Sequence, residues 1–212
     1  MKRRLAKVLS LIVLTLMLGA VSESAFAQNY ERLSDVEADT FGDAAMVNGD
    51  YQAMKNVRRY WVQQAQQFKS MKQLEFAITG SNEGILKVTM PARLLFAQND
   101  STLLTSAEGV LRPLLRLVKG SDAMASMIIA GYTDNNGSPE YLYMISGGRA
   151  RQVHRWFARQ GVGPADLRSF GLANRVPRNE NANIAQREKN RRISIFFVPN
   201  KKMLRAARKG NL

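Results

Sequence analysis

Gly131-Tyr132-Thr133-Asp134-Asn135-Asn136-Gly137-Ser138 follows a short apolar run, Met127 to Ala130, and precedes a segment of helical periodicity from about Pro139 to Gln160. An apolar run bounded by turn formers reads as a strand, and the periodic segment reads as a helix ending at Gly161. The loop between them therefore lies at the carboxyl end of a strand, where α/β sheets commonly hold ligands. It contains a carboxylate, Asp134. The Asn136-Gly137 pair is a turn signal, so the residues alone also allow Asp134 to be a simple turn cap.

Working outward, Leu74 to Thr79 and Ile85 to Met90 read as two strands joined by a turn at Gly80-Ser81-Asn82-Glu83-Gly84. Pro91 ends the second. A helix is expected over Ser106 to Lys119, with Ser106 as N-cap, Gly120 as stop, and Pro113 as a kink point. Downstream, Leu167 to Phe170 reads as a strand, Ala182 to Lys189 as a short polar helix, and Ile193 to Val198 as the last strand. Alternating strands and helices after an opening hairpin imply an α/β (α+β) sandwich. Its mixed β-sheet would carry its helices on one face, with a βαβαβ core.

Upstream, Met54, Val57, Trp61, Ala65, Phe68 and Met71 recur at steps of three or four from a candidate N-cap at Asp50. This amphipathic helix could pack on its own domain or on a partner. A polar stretch without periodicity, Asn29 to Asn48, precedes it. Residues 1–27 have the parts of an export signal: Lys2, Arg3, Arg4 and Lys7, then an apolar run Val8 to Val21, then Ala25-Phe26-Ala27. Export to the periplasm follows as an expectation, with retention of the apolar run as a membrane anchor as the alternative. The organisation expected is a signal at 1–27, a leader and amphipathic helix at 28–72, a domain at 73–199 and a basic tail at 200–212. Eight barrel strands do not fit before residue 73.

Composition narrows the function. There are no cysteines and one histidine, His154, which disfavours thiol chemistry, cysteine-ligated metals, a histidine triad and any cofactor held by those groups. No nucleophile is paired with a base, so an enzyme is not expected. The net charge is +14, and Lys201, Lys202, Arg205, Arg208 and Lys209 in the tail have no acid to offset them. Such a balance favours polyanions. Export would leave cell wall or membrane as partner and disfavour nucleic acid.

Arg149 bears most on the site. Leu142, Ile145, Val153, Trp156 and Phe157 mark the apolar face of the long helix, and Arg149 falls on it. An inward arginine needs an acceptor. Asp134, just before the helix, is a candidate. The two could form an internal ion pair, or together receive a zwitterionic amino acid, the carboxylate taking an ammonium and the guanidinium a carboxylate. The basic run Arg187-Glu188-Lys189-Asn190-Arg191-Arg192 abuts the last strand and could add an arginine to the same cleft.

These motifs, in this order, resemble the OmpA-like peptidoglycan-binding family over roughly residues 74–198. Phe96 and Leu104 fit the opening of the pattern. The Gly131–Ser138 segment replaces the family's Gly-His-Thr-Asp-x-x-Gly. Tyr141 with Ser146-Gly147-Gly148-Arg149-Ala150 fits the helix, and Asn190-Arg191-Arg192-Ile193 the last strand. The resemblance implies a domain that tethers the outer envelope to peptidoglycan. It assigns Asp134 and Arg149 to the diaminopimelate of the stem peptide, with Thr133 and Arg191 lining the cleft. Tyr132 stands where the family has histidine, and Leu142 where it has asparagine, so a ligand hydrogen bond is lost there.

Peptidoglycan is thus the expected partner, at the cell wall and outer membrane. The sequence also leaves open an envelope protein bound through residues 50–72, anionic lipid bound through the tail, and a homodimer. The alternative function is a scaffold of an envelope or motor-type complex in which wall binding is secondary.

Overall fold

The computed structural model describes residues 51–79, 84–119 and 124–212. The expected signal and leader, the Asp50 cap, the tip of the first hairpin and the stop at Gly120 lie outside the described residues. Helix α1 spans Tyr51–Gln66, followed by strands β1 (Glu75–Thr79) and β2 (Ile85–Pro91). Then come α2 (Ala107–Leu111), β3 (Ala125–Tyr132), α3 (Pro139–Arg159), β4 (Leu167–Gly171), α4 (Ile184–Asn190), β5 (Arg192–Pro199) and α5 (Lys201–Arg208). Among the described residues the strands form one sheet in the order β1-β2-β5-β3-β4. Only β3 and β4 pair in parallel; the other neighbours are antiparallel. The mixed α/β architecture expected from the sequence is the one found.

Alternation along the strands makes two faces. Leu86, Val88, Met90, Met127, Ile129, Ile193, Ile195 and Phe197 point to one of them and are buried in a continuous core with residues of α1, α2, α3 and α5. The opposite face carries a Thr89–Ser194 hydroxyl pair at 3.1 Å, Lys87 over the Phe196 ring, and Arg192 over the Tyr132 ring. The βαβ unit β3–α3–β4 is close-packed for a reason written in its glycines. A Cβ on Gly131 would lie 2.2 Å from the Ser146 carbonyl oxygen, and one on Gly171 2.4 Å from the Gly147 nitrogen. Their absence lets α3 rest directly on the backbones of β3 and β4.

Three expectations change. The helix drawn over Ser106–Lys119 is α2 followed by a 3-10 segment, Arg112–Leu117. Pro113 has no N–H for the α-helical ladder and its ring crowds the preceding turn, so the chain tightens there. Ser106 makes no side-chain cap bond, because its own backbone is already helical (φ −65°, ψ −21°). The tail is no loose basic extension. It folds as α5, capped by Asn200, with Met203 and Ala207 fully buried. The apolar stripe of α1 is likewise turned inward: Val57 and Trp61 are in the core, Trp61 Nε1 donates to the Gly84 carbonyl at 2.9 Å, and Asn56 Nδ2 donates to Ala207 O at 2.9 Å.

Candidate functional site

The ends of β2, β3 and α4 meet the start of α3 around a cavity of about 380 Å³. Thr133, Asp134, Arg149 and Arg191, the four site residues expected from the sequence, all line it. β3 delivers the first two. Thr133 N donates to Ala173 O at 2.8 Å, which prolongs the β3–β4 edge and fixes the loop. Asp134 is only 6% exposed; its Oδ1 accepts from Asn136 N at 3.1 Å in a local turn, and its Oδ2 accepts from Arg191 Nη1. Thr133 Oγ1 is buried without a hydrogen-bond partner, leaving a hydroxyl at the cavity that a ligand can use.

Arg149 is 5% exposed, as its place on the inward stripe of α3 demands. Its acceptor is not Asp134. Nε donates to Asp100 O at 2.8 Å and Nη2 to Ala97 O at 3.3 Å, and the guanidinium lies 5.4 Å from the Phe96 ring centre. Burial lowers its pKa, the raising contribution of Tyr141 and the opposing one of Arg191 coming next, but an arginine remains charged. Held by two carbonyls, it keeps Nη1 uncommitted at a cavity that also contains a carboxylate.

Asp134 instead belongs to a chain of charges of which sequence reasoning missed two members, Glu188 and Arg93. Arg191 bonds Asp134 and, through Nε at 3.1 Å, Glu188. Glu188 in turn lies 3.3 Å from Arg93 Nε. Burial works against the Arg191 charge, yet its hydrogen bonds to Glu188 and Asp134 outweigh this and raise its pKa. The Glu188–Arg191 spacing of three across the C-terminal end of α4 was the available signal; Arg93 had none. The cavity thus has two acids and three arginines, Arg93, Arg149 and Arg191. It is suited to a ligand with both charges and an excess of carboxylate.

The neighbouring residues of the Asn190-Arg191-Arg192 motif do other work. Asn190 is wholly buried. It accepts from Arg178 N at 2.7 Å and Asn179 N at 3.1 Å, and donates to Asn179 O and Asn181 Oδ1. Arg192 points to the opposite face, 3.7 Å from the Tyr132 ring centre, with Nη2 on Val176 O at 2.8 Å. Tyr132 is therefore buried away from the cavity, and only Leu142 of the two family departures borders it.

Residues 95–191 match the sequence model of the OmpA family. The outer-membrane lipoprotein YfiB of Pseudomonas aeruginosa is 29% identical over 107 residues; the alignment covers 50% of this chain and 63% of that protein. Among solved structures, a MotB-like protein from Desulfovibrio vulgaris shares the fold with a TM-score of 0.60 at 22% identity, covering 71% of this chain and 96% of that one. The cell wall anchor of the T6SS from Pseudomonas aeruginosa follows at 0.56 and 18%, covering 68% and 99%. The motif residues gathered at one cavity thus all lie within the stretch, residues 95–191, that matches the OmpA family.

Proposed function

We propose that this chain is a non-enzymatic envelope protein that binds peptidoglycan non-covalently by gripping the zwitterionic end of a diaminopimelate side chain. The observation that carries the reading is the presence of Asp134, Thr133 and Arg149 on one cavity, with Arg149 anchored from behind by main-chain carbonyls. Asp134 uses one lone pair on each oxygen and retains others for an ammonium group. Arg149 Nη1 supplies donors for the carboxylate on the same ligand carbon, and Thr133 Oγ1 adds a hydroxyl. The family match and the similarity to the cell wall anchor of the T6SS support this direction. Placement in the periplasm, against the wall and near the outer membrane, follows from the same reading.

The test is sedimentation of the purified protein with insoluble sacculi beside Asp134→Ala and Arg149→Ala variants. The parent sediments at moderate salt, and the folded variants remain in solution. Equal sedimentation of all three, released by salt, means nonspecific charge attraction and overturns the reading.

A further inference from the structure

Strand direction separates two ends of the molecule. β5 begins beside the cavity at Arg192 and reaches Pro199 about 25 Å away. Ala125 pairs with Pro199 and Leu86 with Phe197, so the starts of β3 and β2 share that far end. Here α5 begins, Asn200 N donating to Met124 O at 3.1 Å. Here too α1 packs, through Trp61 on Gly84 and through Asn56 on Ala207.

The two helices bury one side and expose basic arcs on the other. At 100° per residue, Lys201, Lys202, Arg205, Arg208 and Lys209 fall within about a third of the circumference of α5, opposite Met203 and Ala207. The exposed arc of α1 holds Lys55, Arg58 and Arg59, with Tyr51 at 81% exposure and Val62 between them. No aspartate or glutamate occurs in residues 51–74 or 193–212. α1 and α5 touch through Asn56 and Ala207, so both basic arcs belong to one helix pair, with an aromatic and an aliphatic side chain among the cations of α1.

We propose that the α1–α5 helix pair is a docking surface for an anionic phospholipid membrane. Basic residues near such a surface add about 1 kcal/mol each without needing a shaped pocket, and tyrosine suits the headgroup zone. Single-stranded nucleic acid is favoured by a groove with a row of stacking rings; two convex helices with one exposed tyrosine do not make one. Docking here would turn the cavity away from the membrane, so the domain would bridge lipid and wall. The bridging rests on the wall-binding reading; the lipid docking stands without it.

The experiment is co-sedimentation of the full chain with phosphatidylglycerol–phosphatidylcholine vesicles and with pure phosphatidylcholine vesicles, at low and moderate salt. Parent and K201Q/R205Q/K209Q are compared, with thermal melting and sacculus sedimentation run in parallel. The parent prefers the anionic vesicles, salt weakens the preference, and the triple variant reduces it about 100-fold while melting and binding sacculi like the parent. K55Q/R59Q on α1 lowers the preference in the same direction and serves if the triple variant melts early. No preference for anionic vesicles, or a preference that survives both sets, overturns the proposal. So does tighter binding to a single-stranded DNA oligonucleotide at equal salt. Loss of sacculus binding in the parent with lipid docking intact overturns the wall reading alone.

Discussion

Arg149 Nε donates to the main-chain oxygen of Asp100 at 2.8 Å, so the buried arginine at the cavity is held by backbone and not by the nearby carboxylate of Asp134. This separates the two residues energetically. Arg149→Ala leaves the Asp100 and Ala97 carbonyls without their donor and is expected to lower stability by about 2 kcal/mol in urea titration. Arg149→Lys restores one donor and part of that loss, but not the planar fork. Sacculus binding is expected to stay at least about tenfold down in both variants. Full binding by Arg149→Lys means the fork is not used on a ligand.

Asp134→Asn tests the ammonium half of the site. Arg191 keeps Glu188 and is partly solvated, so the stability change should stay within about 1 kcal/mol. Sacculus sedimentation should nevertheless fall by at least about tenfold if a charged carboxylate is required. A variant that melts normally and sediments normally removes Asp134 from the ligand.

Asn190→Ala should act on the fold and not through ligand contact. It strips partners from the amides of Arg178 and Asn179 in a fully buried setting. A loss of about 3 kcal/mol, read as a fall of roughly 6–12 °C in Tm, is the expected result. An unchanged Tm contradicts the assignment of this motif asparagine as the pin of the 178–181 loop.

Gly131→Ala drives a methyl into the Ser146 carbonyl and forces α3 off the sheet, with an expected loss of about 3 kcal/mol. Gly109→Ala is the contrasting case. Nothing lies within 4 Å of its Cβ position inside α2, so it should gain about 0.5–1 kcal/mol. Denaturant midpoints of the two variants should move in opposite directions.

The single histidine gives a pH signature. His154 on α3 is half-buried, its Nδ1 buried without a hydrogen-bond partner, and burial followed by the charge of Arg155 lowers its pKa below the usual 6.5. The unfolded chain therefore binds its proton first. The contribution to stability is complete above about pH 6.5 and is lost as pH falls through the lower folded value. His154→Gln should flatten the stability profile on that acid side, measured by urea midpoints across pH 7 to 5. An identical slope in both proteins rules His154 out as its source.

Much of the site was legible because its motif residues stand out against local patterns. Asp134 follows an apolar run, and Arg149 falls on an apolar stripe, so each place could be counted along the chain. Glu188 and Arg93 escaped because neither breaks a local pattern; an exposed-looking glutamate in a basic run carries no mark of the cavity it faces. Arg191 and Arg192 are adjacent and alike, and only the alternation of β5 sends one to the cavity and the other beneath Tyr132.

By itself, the sequence determined the order of the strands and of the helices between them, and the arginine on an inward face. These are set by periodicity and by steric rules that act over a few residues. Tertiary structure alone decided that β5, nearly last in the chain, is central in the sheet. It also decided that Asp134 pairs with a residue 57 positions away, and that the basic tail becomes a helix against α1. Such pairings depend on which surfaces meet once the core is buried, and burial is a property of the whole chain.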